Sequence, residues 1–286
     1  GLAIGPGGWD TASLTTNNTV SAMDVSLYLN GSTAGTNAYS GAGAAFGGKV
    51  WMNNFTLDIA NANNGDINGL GAGAAYNTGQ PSGAPLKNYV HIANNYNFTA
   101  IKASMANNNP TTGIRSILNN NGSGKPGEYG PQPIITIDGK YAADITAGYG
   151  NGVYVSGKWD QQSHMPIVNL NDTSIKITGS GNAIKIGKAD RLYSFRRDGW
   201  GAGQLNWKDG ANVNIDQNGA TGEAIAIVYS GSVLSAPGVN EFKVVAQGNS
   251  IRVGNDILTN AVQASTGLID VKINNAYFRT TTANTS

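Results

Sequence analysis

The chain contains no cysteine among its 286 residues, which excludes disulfide bonds and thiolate metal sites. Acidic residues are sparse: there are three glutamates, and no two aspartates are adjacent or one residue apart. Polysaccharide hydrolases need a pair of carboxyl groups, and calcium-dependent lyases need several clustered oxygen ligands. The sequence therefore offers no local constellation for either chemistry, although acids on different turns of a fold can still meet.

Charge and long apolar runs are scarce as well. Only 12% of the residues are charged and the net charge is +1, a balance that does not favour binding to nucleic acid. No apolar run approaches the length that a membrane-spanning segment needs. His91 and His164 lie far apart without a nearby serine or cysteine nucleophile motif. We therefore predict no catalytic residues, no metal and no cofactor.

An internal repeat is the strongest positive signal. Residues 173–187 (TSIKITGSGNAIKIG) return as residues 240–254 (NEFKVVAQGNSIRVG), with five of the fifteen paired positions identical. Each copy holds two short runs in which apolar residues alternate with lysine or arginine, separated by a corner that contains glycine. Alternation with a period of two is typical of strands that bury one face. Each copy therefore predicts two strands that meet at a bend.

Weaker copies extend the pattern along the chain. Strand starts at Ile175, Val213, Phe242 and Ile269 are separated by 38, 29 and 27 residues. Strand-and-turn periods of this length, without convincing helices, indicate coils stacked along one axis. The sequence thus predicts an all-β fold, a parallel β-helix (β-solenoid), forming a single domain over residues 1–279. Residues 280–286 predict the start of a Ser/Thr-rich linker.

The N-terminal half is less regular. An alternating run at residues 20–29 predicts a strand that caps the first coil, and side loops are expected between the strands. Residues 48–60 and 89–104 each predict two strands around a central Asn pair. Residues 107–133 predict an irregular stretch with a short helix at 112–118. Such a long loop is either a simple side loop or a functional segment.

Basic charge is concentrated in one stretch. Residues 174–209 carry seven bases and three acids. Within the repeat we expect Lys176 and Lys243 to share one outward face and Lys185 and Arg252 the adjoining one, with the neutral Asn214 and Ala226 between them. Like charges stacked on neighbouring strands repel unless something intervenes. This arrangement predicts either a surface for an anionic ligand or lysines that only solubilise a β face.

Aromatic residues follow the same stretch. Arg196, Arg197 and Trp200, with Trp207 close behind, predict a loop in which indole rings stand beside cations. The alternative is that the indoles pack back over the solenoid. A loop that combines aromatic rings with cations favours sugars that bear carboxylates as its ligand. The candidate ligand-binding residues are Lys176, Lys185, Arg196, Arg197, Trp200, Lys243 and Arg252.

With its GANVNI, GNAIKIG and GNSIRVG motifs and its Thr/Ser-rich end, the segment 132–286 resembles a known family. It is similar to the right-handed, pectate-lyase-like β-solenoid that forms the binding region of serine-rich repeat surface adhesins of lactobacilli. The resemblance implies a non-enzymatic module on a glycosylated, cell-wall-anchored stalk that binds mucin glycans or pectin. Passenger domains of autotransporters share this solenoid style and remain an alternative.

We therefore expect an extracellular bacterial adhesin, monomeric, that binds acidic polysaccharide or mucin glycan through a basic face. One alternative is a polysaccharide lyase or hydrolase whose acids converge from different coils. Another is a structural spacer that holds a neighbouring domain away from the cell. A basic concavity that also exposes an aromatic ring would favour the adhesin.

Overall fold

The structure is a computed structural model of the chain. It describes twelve segments, within which all residue-level statements below are made. They are residues 2–4, 19–30, 39–44, 49–61, 67–74, 87–103, 110–118, 132–157, 165–187, 201–217, 220–254 and 268–281.

These segments contain β-strands and no helix, so they hold no helix that could cross a membrane. The strands are β1 (Leu2–Ile4), β2 (Thr19–Asn30), β3 (Tyr39–Ala44), β4 (Lys49–Ala60), β5 (Ile67–Ala74), β6 (Lys87–Ile92), β7 (Tyr96–Ala103), β8 (Thr111–Leu118), β9 (Gln132–Ile137), β10 (Tyr141–Ser156), β11 (Ile167–Leu170), β12 (Thr173–Ile186), β13 (Gln204–Trp207), β14 (Asn212–Gln217), β15 (Ala220–Thr221), β16 (Ile225–Ile227), β17 (Val233–Ala236), β18 (Glu241–Ala246), β19 (Ile251–Val253), β20 (Asp270–Ile273) and β21 (Ala276–Thr280).

The strands wind into a parallel β-helix with three faces. Face A stacks the starts of β2 and β4 with β6, β9, β11, β13, β17 and β20. Face B stacks the ends of β2 and β4 with β7, the starts of β10 and β12, and β14, β18 and β21. Face C stacks β1, β3, β5, β8, the ends of β10 and β12, and β16 and β19. All of these pairings are parallel, which confirms the predicted fold class. A right-handed winding is expected, because connections between parallel strands are almost always right-handed.

Long strands pass from one face to the next at corners. The first half of β10 pairs with β7 on face B and its second half with β8 on face C, with a register shift between Ala147 and Tyr149. On the next coil, Gly181 has φ +113° and a Cβ there would collide with the Gly150 carbonyl oxygen. Glycine is required because an L side chain rarely adopts this backbone conformation and has no space here.

The A–B corner is held by a ladder of polar side chains. The Asn54 side-chain oxygen accepts the Asn95 backbone N–H at 3.0 Å, and the Asn95 side-chain oxygen accepts the Lys140 N–H at 3.0 Å. Further along, Asp172 accepts the Asn212 N–H at 2.8 Å. Backbone donors that the turn leaves without a strand partner are thereby satisfied from the neighbouring coil. The Asn pairs in the sequence thus mark bends within the coil.

The interior is filled by columns of apolar side chains. Ile184 is fully buried between its register partners Val153 and Ile225. On face B, the rings of Phe55, Tyr96 and Tyr141 stack at centroid distances of 5.3 and 5.2 Å. Aromatic stacking of this kind adds about 0.5–1.5 kcal/mol per pair beyond area burial.

The two buried tyrosines fit a column of glycines on face C. Tyr96 donates its hydroxyl to the Gly113 carbonyl at 2.9 Å, and Tyr141 donates to the Gly152 carbonyl at 2.7 Å. A Cβ at Gly113 would collide with the Tyr141 hydroxyl. One coil further on, Thr173 follows Tyr141 and Ala183 follows Gly152. The glycine column therefore gives way to alanine where the ring column ends.

Several sequence-based expectations are confirmed or corrected. The strand at 20–29 is confirmed as part of β2, which lies in register on β4 and covers its coil. The run at 48–60 is one strand that bends, because its two parts pair with β6 and β7. The helix at 112–118 is wrong: this segment is β8, paired in parallel with β5 and β10. Its β-branched Thr111, Thr112, Ile114 and Ile117 favour a strand.

The predicted two-strand coil is also incomplete. The described coils from β9 onwards have a third strand on face A, which the repeat does not include. The run that begins near Ile269 is β20, which pairs with β17 on that face, whereas the counterpart of Ile175 on the last coil is Phe278 in β21. The residues of face A alternate between apolar and polar, but β9, β11, β13 and β17 lie outside the repeated stretches, so self-similarity did not reveal them.

The Tyr–Gly fit gives a first test. We expect Gly113→Ala to lower the free energy of unfolding by about 1–3 kcal/mol because the new methyl group overpacks the site. Tyr141→Phe alone should cost about 1 kcal/mol for the lost hydrogen bond. Together they should cost less than the sum, because the hydroxyl that the methyl strikes is gone. Urea unfolding of the four proteins measures this, and strictly additive costs would contradict the fit.

Alkaline titration gives a second test. Burial raises the pKa of Tyr96 and Tyr141 well above the ordinary value of 10.0, and for Tyr96 the proximity of Tyr141 adds to the effect. The folded state thus favours the neutral phenols. The stability that this pair contributes is fully present below pH 10 and is lost as the pH rises above it, because the unfolded chain can then ionise its phenols.

We expect the phenolate absorbance of these two residues to appear together with the loss of the strand signal in circular dichroism. Replacing both by Phe should remove that late absorbance step. Ionisation of the pair while the strand signal is intact would contradict their burial.

Candidate ligand-binding cleft

A cavity on face C contains one of the sequence-predicted residues, Lys185. It encloses about 90 Å³ and receives side chains from β8, β10 and β12. We call it the face C cleft, and its lining consists of Pro110, Thr112, Arg115, Tyr149, Asn151, Tyr154 and Lys185.

Register explains why these residues meet. Arg115, Tyr154 and Lys185 occupy the same outward position on three successive coils. Coils of a parallel stack are about 4.8 Å apart, so three side chains from distant parts of the sequence form one short column. Tyr149 reaches the cleft because β10 shifts register at the corner just before it.

The cleft is electropositive. Arg115 and Lys185 bring two cations, and among the described residues no acidic side chain belongs to the lining. The Lys185 amine stands 5.9 Å from the centre of the Tyr154 ring, a distance at which the ring quadrupole attracts a cation. Tyr154 is buried whereas Tyr149 is half-buried, so Tyr154 positions the lysine and Tyr149 offers the more accessible ring.

Polar groups complete the cleft. Asn151 is 3% exposed, and within the described residues its side-chain oxygen has no hydrogen-bond partner. Leaving a buried acceptor unpaired costs about 1–3 kcal/mol. An Arg115 N–H donates to the Asn68 side-chain oxygen at 3.5 Å, which holds the guanidinium against the coil below. The arrangement can bind a carboxylate through its cations.

The column has clear ends. Below Arg115 the same position is occupied by Gly71, and above Lys185 it is occupied by Ala226, which is buried. Arg252 follows on the next coil and forms an ion pair with Glu223 at 3.1 Å. Lys185 and Arg252 therefore share a column with Ala226 between them, as expected, but Arg252 is matched by a carboxylate.

Lys176 lies in a different environment from the one expected. Its neighbours on adjacent coils are Asp144 and Asp216, and its amine is 3.6 Å from the Asp144 carboxylate. Asn214 instead lies beside Lys243, in the neighbouring column. The expectation that Lys176 and Lys243 share one column with Asn214 is wrong, because the pairing on face B is displaced by two residues from the repeat alignment.

Lys243 lies at the C-terminal end of face B. It lines an open cavity of about 330 Å³ together with Glu241, Val245, Tyr277 and Arg279. Tyr277 is 52% exposed, and Glu241 contributes a negative charge. This second cluster is wider, more open and less positive than the face C cleft.

Of the two tryptophans predicted to share a loop, Trp207 is among the described residues and Trp200 is not. Arg196, Arg197 and Trp200 lie outside the described residues. Trp207 belongs to β13 and is buried: its indole N–H donates to the Thr173 hydroxyl at 3.0 Å, and its ring meets Phe242 edge-on at 5.3 Å. The expectation that Trp207 stands in a loop is therefore wrong. Its ring fills the space on face B that Thr173 leaves after the tyrosine column.

Other titratable groups are dispersed. Within the described part of the chain no three His, Asp or Glu residues come close enough to hold a metal ion. His91 pairs with Asp138 at 2.6 Å, and its ring meets Trp51 edge-on at 6.2 Å. This pair lies on face A, away from the face C cleft.

Six of the seven lining residues escaped the sequence analysis: Pro110, Thr112, Arg115, Tyr149, Asn151 and Tyr154. Arg115 fell within the segment expected to be helical. Tyr154 stood in a recognised strand, and aligning Val153 with Ile184 would have placed it beside Lys185. No comparison adds to this picture, since no family model, curated protein or solved structure matches the chain.

The two lysines on β12 provide a third test. Lys176 is 56% exposed and its pair with Asp144 is solvent-screened, so Lys176→Met should change the free energy of unfolding by less than about 1 kcal/mol. Lys185→Met gives up one cation–π contact and should cost about 0.5–1 kcal/mol. Urea unfolding of both variants checks this. A decrease of more than about 2 kcal/mol in the free energy of unfolding of either variant would contradict this, because the lysine would then stabilise the fold itself.

Proposed function

We propose that the chain is a non-catalytic, extracellular binding module that holds acidic polysaccharide in the face C cleft. The observation that carries the proposal is the convergence of Arg115, Lys185 and Tyr149 on one cavity, whose lining contains no acidic side chain within the part of the chain that the structure describes. Cations that bind carboxylates and a ring that packs against a sugar are the groups such a ligand needs.

The setting of the cleft supports a carbohydrate rather than a compact small molecule. The cavity encloses only about 90 Å³ and opens on a β-helix face, so it suits one part of a long ligand. Pockets that enclose drug-sized ligands are larger, about 300–1,000 Å³. An extended polysaccharide can lie along the helix axis and meet side chains from successive coils.

The proposal includes a biological setting. The rung pattern of residues 132–286 resembles the binding region of serine-rich repeat adhesins of lactobacilli, so we propose display on a bacterial cell wall and adhesion to pectin or mucin glycans. The low charge and the high content of Asn, Thr, Ser and Gly are compatible with an exposed surface protein.

Binding to polygalacturonate tests the proposal. Reversing Lys185 to Glu should weaken binding at low salt by at least about tenfold, because an attractive, charge-assisted contact becomes repulsive. Lys176→Glu, on face B of the same strand, is the matched control and should change affinity by less than about twofold. For the parent, affinity should fall as added salt screens the charges. Calorimetry gives the affinities, and circular dichroism verifies the fold.

Two results would overturn this function. One is equal binding by the parent and Lys185→Glu at low salt. The other is release of unsaturated or shortened oligosaccharides from polygalacturonate by the repurified protein, with or without calcium, which would show a polysaccharide lyase or hydrolase instead.

A further inference from the structure

We infer that the outer surface of face A is a second binding site, and that it takes a neutral, extended, β-1,4-linked polysaccharide that lies along the helix axis. The site consists of two neighbouring columns of side chains, which we call the face A strip. The apolar column is Tyr89, Ile134 and Ile167, and the polar column is Thr136, Asn169 and Asn206. The strip lies on a different face from the face C cleft, and its ligand is chemically different.

Register builds the apolar column. Tyr89 of β6, Ile134 of β9 and Ile167 of β11 are partners on three successive coils. Their neighbours along each strand are buried, so these three side chains point away from the core. All three are half-buried. Outward apolar side chains that line up on successive coils offer a flat surface against which the apolar faces of sugar rings can pack.

The polar column is held in place by its own hydrogen bonds. The Asn169 side-chain amide donates to the Thr136 hydroxyl oxygen at 3.2 Å, and the Asn206 amide donates to the Asn169 side-chain oxygen at 2.9 Å. Gln204 donates to the Asn206 side-chain oxygen at 3.0 Å. An amide has two N–H bonds and two oxygen lone pairs, of which these contacts use one each at Asn169. The ordered amides can therefore both donate to and accept from sugar hydroxyl groups.

One end of the strip carries an aromatic ring and a carboxylate. His91 is the register partner of Thr136, and Trp51, which is 37% exposed, is the register partner of His91. His91 pairs with Asp138 at 2.6 Å, and the Asp138 side chain is 50% exposed. An exposed carboxylate accepts hydrogen bonds from hydroxyl groups and repels the carboxylates of an acidic chain. The strip therefore favours a neutral chain, with a terminal sugar beside Trp51.

The shape of the strip favours an extended chain. Its two columns are straight and repeat about every 4.8 Å, a distance comparable with the length of one sugar unit. A β-1,4-linked chain is a flat ribbon with apolar ring faces and hydroxyl groups along its edges, whereas an α-1,4-linked chain curves. The strip is a face of the sheet and not an edge, so a strand of a protein partner finds no backbone groups to pair with.

Calorimetry with two neutral hexasaccharides tests the inference. We expect the β-1,4-linked glucose hexamer to bind the parent protein at least about fivefold more tightly than the α-1,4-linked glucose hexamer, because only the straight chain follows both columns. Because the two sites lie on different faces, hexagalacturonate at saturating concentration should change the affinity for the β-linked hexamer by less than about twofold.

Variants tie the binding to the strip. Asn169→Ala removes the centre of the polar column and should weaken binding of the β-linked hexamer by about fivefold or more. Asn214→Ala removes an outward asparagine from β14 on face B, so it is the matched control and should change affinity by less than about twofold. Ile167→Thr keeps a β-branched side chain that suits a strand, and its loss of apolar contact should weaken binding by about threefold or more. Thermal melting of each variant verifies its fold.

The outcomes separate this site from the face C cleft. Equal binding of the β-linked hexamer by the parent, Asn169→Ala and Ile167→Thr overturns the face A strip, as does equal affinity for the two hexamers. Absence of neutral binding overturns the inference and leaves acidic polysaccharide binding intact. Absence of hexagalacturonate binding beside intact neutral binding overturns only the proposed function. A dimer in sedimentation that Ile167→Thr dissociates assigns the strip to a second copy of the chain and overturns the inference.

Discussion

In-register parallel stacking is the constraint on which the rest of this structure depends. Each strand is hydrogen-bonded to the equivalent strand one coil away, so an inward position becomes a column of core residues and an outward position becomes a column of surface residues about 4.8 Å apart. Tyr96 and Tyr141 stack because of this register, and Gly113 and Gly152 leave the room that their hydroxyl groups occupy. The same rule brings Arg115, Tyr154 and Lys185 together on the outside. Core and cleft are therefore two consequences of one arrangement.

The sequence repeat predicted this arrangement well on one face and less well on another. On face C, Ile184 and Ile251 share a column through Ile225, as the repeat implies. On face B, Thr173 shares a column with Phe242 through Val213, two residues from the repeat alignment. The corner between the faces is shorter on the later coil, and an alignment without gaps cannot show this. A shift of two residues keeps the same side chains pointing inward, so the error left the predicted core intact and changed only the outward neighbours of Lys176.

The cleft was beyond sequence reasoning for a related reason. Its side chains come from three coils, and the outward position of β8 could not be assigned while that segment was expected to be helical. Charge counting found the basic stretch but could not distinguish Lys176, which is paired with Asp144, from Lys185, which lines a cavity whose described residues include no carboxylate. That distinction matters energetically, since exposed ion pairs contribute about 0–1 kcal/mol, whereas cations that face a cavity can give their interaction to a ligand. Among the described basic residues, the structure thus separates Lys176, which faces Asp144, from Lys185, which lines the face C cleft.

The central claim is that an acidic sugar chain lies along the helix axis in the face C cleft, and a crystal structure of the chain with trigalacturonate tests it most directly. The account predicts electron density for the sugar chain in the face C cleft, with a carboxylate at the Lys185 amine and a sugar ring beside Tyr149. Sugar density at the cavity of Lys243 and Arg279, or beside Trp51 on face A, with an empty face C cleft, would contradict it.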